Sequence, residues 1–323
     1  MTFRLLRSVT PLLLCTGAVL ADANAATALC TSTARRAPTD ARIRVAIEEA
    51  RRQHELFGGQ TIERSGGLFR LGHNEAESTR NGGQAAWERV AGFWRAVSEG
   101  DPAVLTTSIG RMARSEAARA AASAAAEGSR LDVAVRESLL RAAIVDTPWS
   151  AAFISHVIKT AGFSRAEFEF SGSHADYVRA ALDASAAEPA GRPATHAWRA
   201  CDLATTRPRA GDLLCATRAS TAGTGRFEAL SAAMAARSAA QGFPMHCDLV
   251  VRSDEGGDAK LEIIGGNVVH SVTLSHLTLN ARKVLSDQYI SDAAPRADCP
   301  RWGLSCGDHL SRRPWLVLLQ FRH

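Results

Sequence analysis

The sequence predicts an α+β fold, with helices in its first half and an antiparallel sheet in its second half. Before residue 162, apolar residues recur at three- and four-residue steps in several segments, which is typical of amphipathic helices. After residue 210, short apolar runs are separated by tight turns, which favours strands joined by hairpins. Because the helices come first and do not alternate with the strands, an antiparallel sheet is expected in place of parallel βαβ units.

The first 25 residues are typical of a cleaved secretory signal. Arg4 and Arg7 form a positive n-region, residues 12–20 are mostly apolar, and Ala23-Asn24-Ala25 has the small-x-small pattern of a cleavage site. The apolar stretch is shorter than the about 20 residues that a bilayer-spanning helix needs. We therefore expect an exported protein, periplasmic or secreted, with no transmembrane segment in the mature chain.

The charge balance gives no indication of nucleic-acid binding. The chain has 38 Lys and Arg against 33 Asp and Glu. Loss of Arg4, Arg7 and Asp22 with the signal leaves 36 basic and 32 acidic residues, a net charge of +4. No run of five or six basic residues occurs, so the electrostatic pattern of a nucleic-acid binder is absent from the sequence. The sequence indicates no oligomeric state.

The cysteine count favours disulfides. Six of the seven cysteines remain after the signal, and an even number in an exported chain is typical of disulfide pairing, with 15 possible pairings. Cys299 and Cys306 lie close together in one loop, and Cys215 and Cys247 fall in predicted strands, which leaves Cys30 with Cys201. No two cysteines have CxxC spacing, so no CxxC motif precedes a histidine pair and zinc is not expected. The sequence implies no metal and no cofactor.

The region before residue 146 is expected to be mostly helical. Residues 26–38 have the composition of a disordered lead-in, and residues 39–323 are expected to form a single domain. Thr39 or Asp40 can cap the first helix, and Gly58-Gly59 can end it. The expected elements are helices over 39–57, 84–97 and 131–145, and a short strand near 68–71. The Ala-rich residues 107–127 are expected to be helical or partly mobile.

The next helix is predicted over residues 148–161. Thr147 is a suitable N-cap, Pro148 a suitable first helical residue, and Gly162 a suitable end. A Pro/Ala/Gly loop follows at 184–197. The expected strands lie at 212–217, 247–252, 261–264, 268–274 and 314–321.

Four phrases in this second region have the residue types of a nucleophilic site. Ser150 falls in the first turn of a helix, beside backbone N–H groups without intrahelical acceptors and the positive end of the helix dipole. The phrases are Trp149-Ser150-Ala151-Ala152-Phe153-Ile154-Ser155, Pro208-Arg209-Ala210-Gly211-Asp212, His246-Cys247-Asp248-Leu249-Val250-Val251 and Gly265-Gly266-Asn267.

These phrases resemble the papain-like amidases and peptidases of the CHAP and NlpC type, in the same order, over about residues 140–280. Those families open a catalytic helix with Trp-Cys-Ala-Ala-Phe-Val-Ser. The chain is still more similar to an uncharacterised bacterial family, the domain of unknown function numbered 2272, and that resemblance extends to the N-terminal helices. The resemblance implies a papain-like fold, with N-terminal helices packed on a C-terminal antiparallel sheet.

The resemblance also implies site residues. Ser150 stands where those families have the nucleophilic Cys. Because a serine hydroxyl does not ionise there, it needs a base, for which His246 is the candidate. Asn267, or Asp248 less directly, can hold the imidazole, whereas Gly265 stands at the position of the family's Glu.

Other residues are candidates for substrate binding near the groove. Trp149 can wall the cleft, and Asp248 can line it beside His246. His174 and Asp176 can line it as well, although a helix start capped by Ser173 explains these two residues equally. The segment 219–245 precedes His246 as an insertion able to cover the groove.

Two functions follow from this interpretation. The first is hydrolysis of peptide or amide bonds in the bacterial cell envelope, with peptidoglycan as the expected substrate because that polymer lies in this compartment. The second is a catalytically inactive protein that binds envelope fragments or a partner on the same fold. The Cys-to-Ser exchange at position 150 leaves both open.

Overall fold

The computed structural model describes residues 25–97, 130–218, 225–238, 241–290 and 309–323. Its helices are α1 (Ala41–Leu56), α2 (Ala86–Phe93), α3 (Arg130–Asp146), α4 (Ser150–Thr160), α5 (His174–Ala187) and α6 (Phe227–Ala236). Its strands are β1 (Gln60–Ile62), β2 (Leu68–Arg70), β3 (Arg80–Asn81), β4 (Gln84–Ala85), β5 (Trp198–Asp202), β6 (Leu213–Thr217), β7 (Met245–Ser253), β8 (Lys260–Val268), β9 (Ser271–Thr278) and β10 (Trp315–Phe321).

One large sheet dominates the fold. Its eight strands run in the order β2-β1-β9-β8-β7-β6-β10-β5, whereas β3 and β4 form a separate hairpin. Neighbours are antiparallel except for β1 and β9, which are parallel. The predicted α+β class with a mostly antiparallel sheet is confirmed. The strands β1, β3, β4 and β5 were not predicted, and the helix expected from residue 84 begins only at Ala86 because Gln84 and Ala85 form β4.

Helix α1 packs its apolar stripe against α4 and the sheet. Asp40 caps it, as expected, by accepting a hydrogen bond from the Arg42 N–H at 2.9 Å. Ile43, Ala46 and Ala50 recur at three- and four-residue steps and are buried. Helix α1 therefore packs against α4, the helix that begins at Ser150.

Helix α4 lies on strands β7 and β8. It begins at Ser150, two residues later than expected, and its N-cap is Trp149 and not Thr147. The indole of Trp149 stacks on Phe57 at 5.9 Å, and this packing holds Trp149 outside the helix with a φ of −113° and a ψ of 7°. Gly162 follows the helix with a φ of +89°, as a helix end requires. Ser150 is therefore the first residue of the helix.

A second hydrophobic core lies on the face of the sheet opposite to α1 and α4. The N-terminal segment covers this core. Residues 25–33 are helical, where the sequence predicted a disordered lead-in. The physical reason is the disulfide between Cys30 and Cys201, which ties this segment to β5 and buries Cys30. The predicted signal peptide falls on residues 1–25, of which 1–24 lie outside the described residues.

A second disulfide joins Cys215 of β6 to Cys247 of β7, which stand directly opposite each other. Both observed pairs agree with the pairing predicted from the sequence. The predicted pair Cys299 and Cys306 lies outside the described residues, as does the Ala-rich segment 107–127. Among the residues described, none of the helices combines the length and the apolarity needed to cross a bilayer.

The Gly-Asp phrase at the start of β6 has a structural role. Asp212 is fully buried, accepts a hydrogen bond from the Phe321 N–H at 2.9 Å and pairs with Arg209 at 3.2 Å. Gly211 has a φ of +92°, and a Cβ there would lie 2.3 Å from Ile43. This motif joins the start of β6 to the end of β10 and to α1.

Candidate active site

Ser150 forms a hydrogen bond with a histidine from the next helix. Its Oγ lies 2.7 Å from Nε2 of His174, the first residue of α5. Both residues are buried, with exposed fractions of 3% and 4%. The sequence predicted His246 as the partner of Ser150 and His174 only as a groove residue. The structure instead brings His174 to the hydroxyl.

The other ring nitrogen of His174 contacts a tyrosine one turn along α5. Nδ1 of His174 and the hydroxyl of Tyr177 are hydrogen-bonded. Burial lowers the pKa of His174 well below its ordinary value, and its neighbours His246, Arg218 and Arg313 lower it further. His174 is therefore neutral at pH 7, which is the protonation state that a general base needs. Burial also raises the pKa of Tyr177, so its hydroxyl keeps its proton.

A second buried pair lies beside this one. Nε2 of His246 is 2.6 Å from Oδ1 of Asp248, and Nη1 of Arg313 donates to Oδ2 of Asp248 at 3.3 Å. Burial lowers the pKa of His246 even though Asp248 acts in the opposite direction. Burial alone would raise the pKa of Asp248, but His246 and Arg313 hold it below the ordinary value. An ionised Asp248 therefore accepts the Nε2–H of a neutral His246, whose Nδ1 keeps its lone pair.

The two pairs come from opposite faces of the sheet. Met245, Cys247 and Leu249 lie in the core between the sheet and the helices. Since side chains alternate along a strand, His246 and Asp248 point to the other face. His246 is the second residue of β7, so its ring lies near the end of the sheet. There its ring centroid is 5.3 Å from that of His174.

Two glycines of β8 make room for this arrangement. A Cβ on Gly265 would lie 1.7 Å from Oδ1 of Asp248, and a Cβ on Gly266 would lie 2.5 Å from Cβ of Phe153. The first glycine therefore admits the carboxylate, and the second admits helix α4. Asp248 therefore occupies the space in front of Gly265.

Among the described residues, Asp248 and not Asn267 forms the hydrogen bond to the imidazole of His246, at its Nε2. Asn267 lies in an irregularity of the β8–β9 pairing, with a φ of +55°. The turn beyond it, Val269-His270, also has positive φ at both residues, which is uncommon for a β-branched valine. Gln60 stabilises this turn by donating to the Val268 carbonyl at 3.0 Å. Asn267 consequently lines a cavity beside His246.

Trp149 and Asp176, which were predicted to bind substrate, make other contacts in the structure. Trp149 is fully buried, and its ring packs against Phe57 and Phe93 in the core, so it forms no wall of a cleft. Asp176 accepts from the Ser171 hydroxyl at 2.6 Å and pairs with Arg237 at 3.0 Å. Asp176 lies in the first turn of α5, whose N-cap residue is Ser173 as the alternative expected, although the Ser173 side chain makes no capping hydrogen bond.

Two further members of the site were missed in the sequence. Tyr177 stands three residues after His174, the spacing that places two side chains on one helix face, and this signal was available. Arg313 has no local signal, because it is distant in sequence from Asp248 and reaches it only through the fold.

Two cavities open at this end of the sheet. One of about 200 Å³ is lined by Ser150 and His174, and one of about 330 Å³ is lined by His246 and Asn267. Arg218 lines both. No three or more His, Cys, Asp and Glu side chains in the described part of the chain are grouped as metal ligands would be.

Comparison with known families identifies relatives by sequence. The model of a family described as an uncharacterised protein conserved in bacteria, DUF2272, matches residues 81–321. The chain belongs to this family. The match spans Ser150, His174, Tyr177, His246 and Asp248, so the whole site lies within the DUF2272 region. No curated protein and no solved structure matches the chain.

The arrangement in this DUF2272 chain contains the parts of a serine nucleophile. In the tautomer that activates Ser150, its O–H donates to Nε2 of His174, and Nδ1–H of His174 donates to the oxygen of Tyr177. Backbone hydrogen bonding in α4 starts with the Phe153 N–H, which donates to the Trp149 carbonyl at 3.0 Å. The N–H groups of the first turn therefore have no intrahelical acceptor and can face an oxyanion.

Proposed function

We propose that this chain is an exported hydrolase of peptide or amide bonds in the bacterial cell envelope. Ser150 is the nucleophile and His174 its base. The observation that carries the proposal is the 2.7 Å contact between Ser150 Oγ and His174 Nε2 at the first residue of a helix. The papain-like resemblance of the surrounding phrases and the two disulfides support the reaction class and the export.

The chemical steps follow the general pattern of serine hydrolysis. Ser150 Oγ attacks the carbonyl carbon while its proton moves to His174, and the N–H groups of the first turn of α4 stabilise the oxyanion. His174 then gives the proton to the leaving amine. Water, activated by the same nitrogen, releases the acyl group from Ser150.

Asp248 contributes charge to these steps. When His174 becomes an imidazolium, the neutral ring of His246 does not repel it, and the ionised Asp248 behind that ring attracts it. Arg313 pairs with the same carboxylate, and Arg218 and Arg313 both lower the pKa of His174, so the surroundings of the ring favour its neutral form on balance. His246 and Asp248 thus act as positioning and electrostatic groups in this proposal, in place of the base role that the sequence predicted for His246.

A second candidate is a catalytically inactive protein that binds envelope fragments. The low exposed fraction of Ser150, 3%, favours it, because a substrate carbonyl has to reach that oxygen. The replacement of cysteine by serine at this position points in the same direction, since the hydroxyl is the weaker nucleophile.

Digestion of purified sacculi by the protein, with mass spectrometry of the released fragments, tests the proposal. We expect new fragments from the native protein and none from Ser150→Ala or His174→Ala. Absence of fragments with all three proteins, together with co-sedimentation with sacculi, would establish the binding function. Fragments gained only by Ser150→Cys would indicate a peptidase fold that has lost its nucleophile.

A further inference from the structure

The two cavities beside the proposed catalytic residues are lined by positive charge. Arg218, Arg312 and Arg313 line the larger cavity, and none of the described acidic residues lines it. In the part of the chain that the structure describes, Arg218 is the one charged residue that lines the smaller cavity with Ser150. Both histidines are neutral at pH 7 because their pKa values are lowered. The three guanidinium groups and the Asp248 carboxylate together give a formal charge of +2.

The three arginines are not equivalent. Arg313 is engaged by Asp248, and Nε of Arg312 donates to the Ile290 carbonyl at 3.4 Å. Arg218 is exposed and follows directly after β6, where its N–H donates to the Pro244 carbonyl at 3.0 Å. It stands where both cavities meet, and its charge is close enough to lower the pKa of both histidines. Arg218 is thus the arginine best placed to meet a ligand entering either cavity.

We propose that the ligand of this site carries a carboxylate, bound by Arg218 with support from Arg312, next to the bond that Ser150 attacks. The inference rests on the proposed function for the position of that bond. A planar guanidinium matches a carboxylate with two parallel hydrogen bonds, which gives orientation as well as affinity. The substrate class is therefore an acidic peptide, and a neutral peptide of the same length is a poor ligand.

Binding to the Ser150→Ala protein tests this inference without turnover. The probes are a peptidoglycan tripeptide with free carboxylates and the same tripeptide with its carboxylates converted to amides, measured by calorimetry. We expect the free acid to bind about tenfold more tightly than the amide, because the amide loses about one charge-assisted hydrogen bond. Arg218→Gln in the same background should bring the two affinities together.

Arg44→Gln is the matched control, because Arg44 is an exposed arginine on α1 with 76% of its side chain accessible. It should keep the preference for the acid, and Arg218→Lys should restore part of it. Equal affinity for the two probes, no binding of either, or a preference that survives Arg218→Gln would overturn the inference.

Hydrolysis by the native protein separates this inference from the proposed function. Carboxylate-dependent binding without any released fragments would support the acidic ligand and contradict the hydrolase. Cleavage of acid and amide probes at equal rates would support the hydrolase and contradict the acidic ligand.

Discussion

His174 and His246 are neighbouring buried imidazoles with chemically different partners. His174 lies between two hydroxyls, those of Ser150 and Tyr177, whereas His246 is bonded to the Asp248 carboxylate. His174 contacts the proposed nucleophile but pairs with none of the described carboxylates, and His246 has the carboxylate but lies on the other face of the sheet. In the proposed mechanism, an acid–histidine pair alone does not identify the base, because the position of the nucleophile decides which ring accepts its proton.

The largest effect is expected from replacing His174 and His246 by alanine, one at a time. His174→Ala should lower kcat by about 10²- to 10⁴-fold, the usual contribution of a general base. His246→Ala should cost less, about tenfold, since it removes the ring that lies beside His174 and holds Asp248, and not the proposed base itself. Initial rates on peptidoglycan fragments measure both.

His276→Ala, on β9, serves as the control for these two variants and should leave the rate unchanged. A larger loss for His246→Ala than for His174→Ala would reverse the comparison and return the base role to His246.

Gly265→Ala tests the role of the pair His246 and Asp248 without replacing either residue. Its new Cβ would meet Oδ1 of Asp248, so the carboxylate has to leave its position beside His246. We expect a loss of about 1–3 kcal/mol in the free energy of unfolding from overpacking, and an activity no higher than that of His246→Ala. Denaturant unfolding and initial rates measure the two quantities.

Gly92→Ala in α2 is the matched control, because no described residue outside its own helix turn lies within 4 Å of the position that a Cβ would take there. It should leave the activity intact and raise stability slightly, since alanine favours a helix. If Gly265→Ala behaved in the same way, Asp248 would not depend on the space in front of that glycine.

Tyr177→Phe tests whether the hydroxyl of Tyr177 contributes to the proposed role of His174. It removes the oxygen that accepts the Nδ1–H of His174, while the ring continues to pack against Phe168. The loss of one hydrogen bond, about 1 kcal/mol, predicts a rate about fivefold to tenfold lower. Tyr289→Phe, whose hydroxyl lies in the second core 3.3 Å from Thr278, should not change the rate. Equal rates for both variants would show that Tyr177 does not orient the imidazole.

The smallest effect concerns pH near neutrality. Because the folded protein lowers the pKa of His174 well below its ordinary value and that of His246 in the same direction, both rings are less protonated at pH 6.5 than a free histidine, which is about half protonated there. We expect kcat/KM to change by less than about twofold between pH 7.5 and 6.5, and to fall only at lower pH. A rate that is already halved at pH 6.5 would assign an ordinary pKa to the base.

The same shift has a consequence for stability with a definite sign. Below about pH 6.5 the unfolded chain binds protons that the folded protein excludes from these rings, so the free energy of unfolding falls as the pH falls. The slope is at most about 1.4 kcal/mol per pH unit for each histidine. Unfolding experiments at pH 7 and pH 5.5 should show a smaller decrease for His174→Gln than for the native protein.

The sequence predicted those parts of the molecule that depend on local pattern. Helices α1 and α4 and the strands from β6 to β10 follow apolar periodicity and turn residues, and the two described disulfides were correctly paired. Strand β5 was missed because its residues, Trp198 to Asp202, mix apolar and charged types without alternation. The helical segment 25–33 was missed because a disulfide to a distant strand holds it.

The contacts within the site could not be predicted in the same way. The alternation of Met245 and Cys247 with His246 places the histidine on the opposite face from these two residues. It does not say on which face α4 packs, and that choice decides the partner of Ser150. The contact between Ser150 and His174 joins residues 24 apart through two helices, for which the sequence has no local signal.

The disulfide between Cys215 and Cys247 has a consequence for how the protein is prepared. Because these residues face each other across β6 and β7, their bond fixes the alignment of the two strands. A slip by one residue would turn His246 and Asp248 to the opposite face, since side chains repeat every two positions. The bond is compatible with the alignment in which the two imidazoles are neighbours and opposes a slip by one residue, so reduced and oxidised preparations should be treated as distinct samples in any assay.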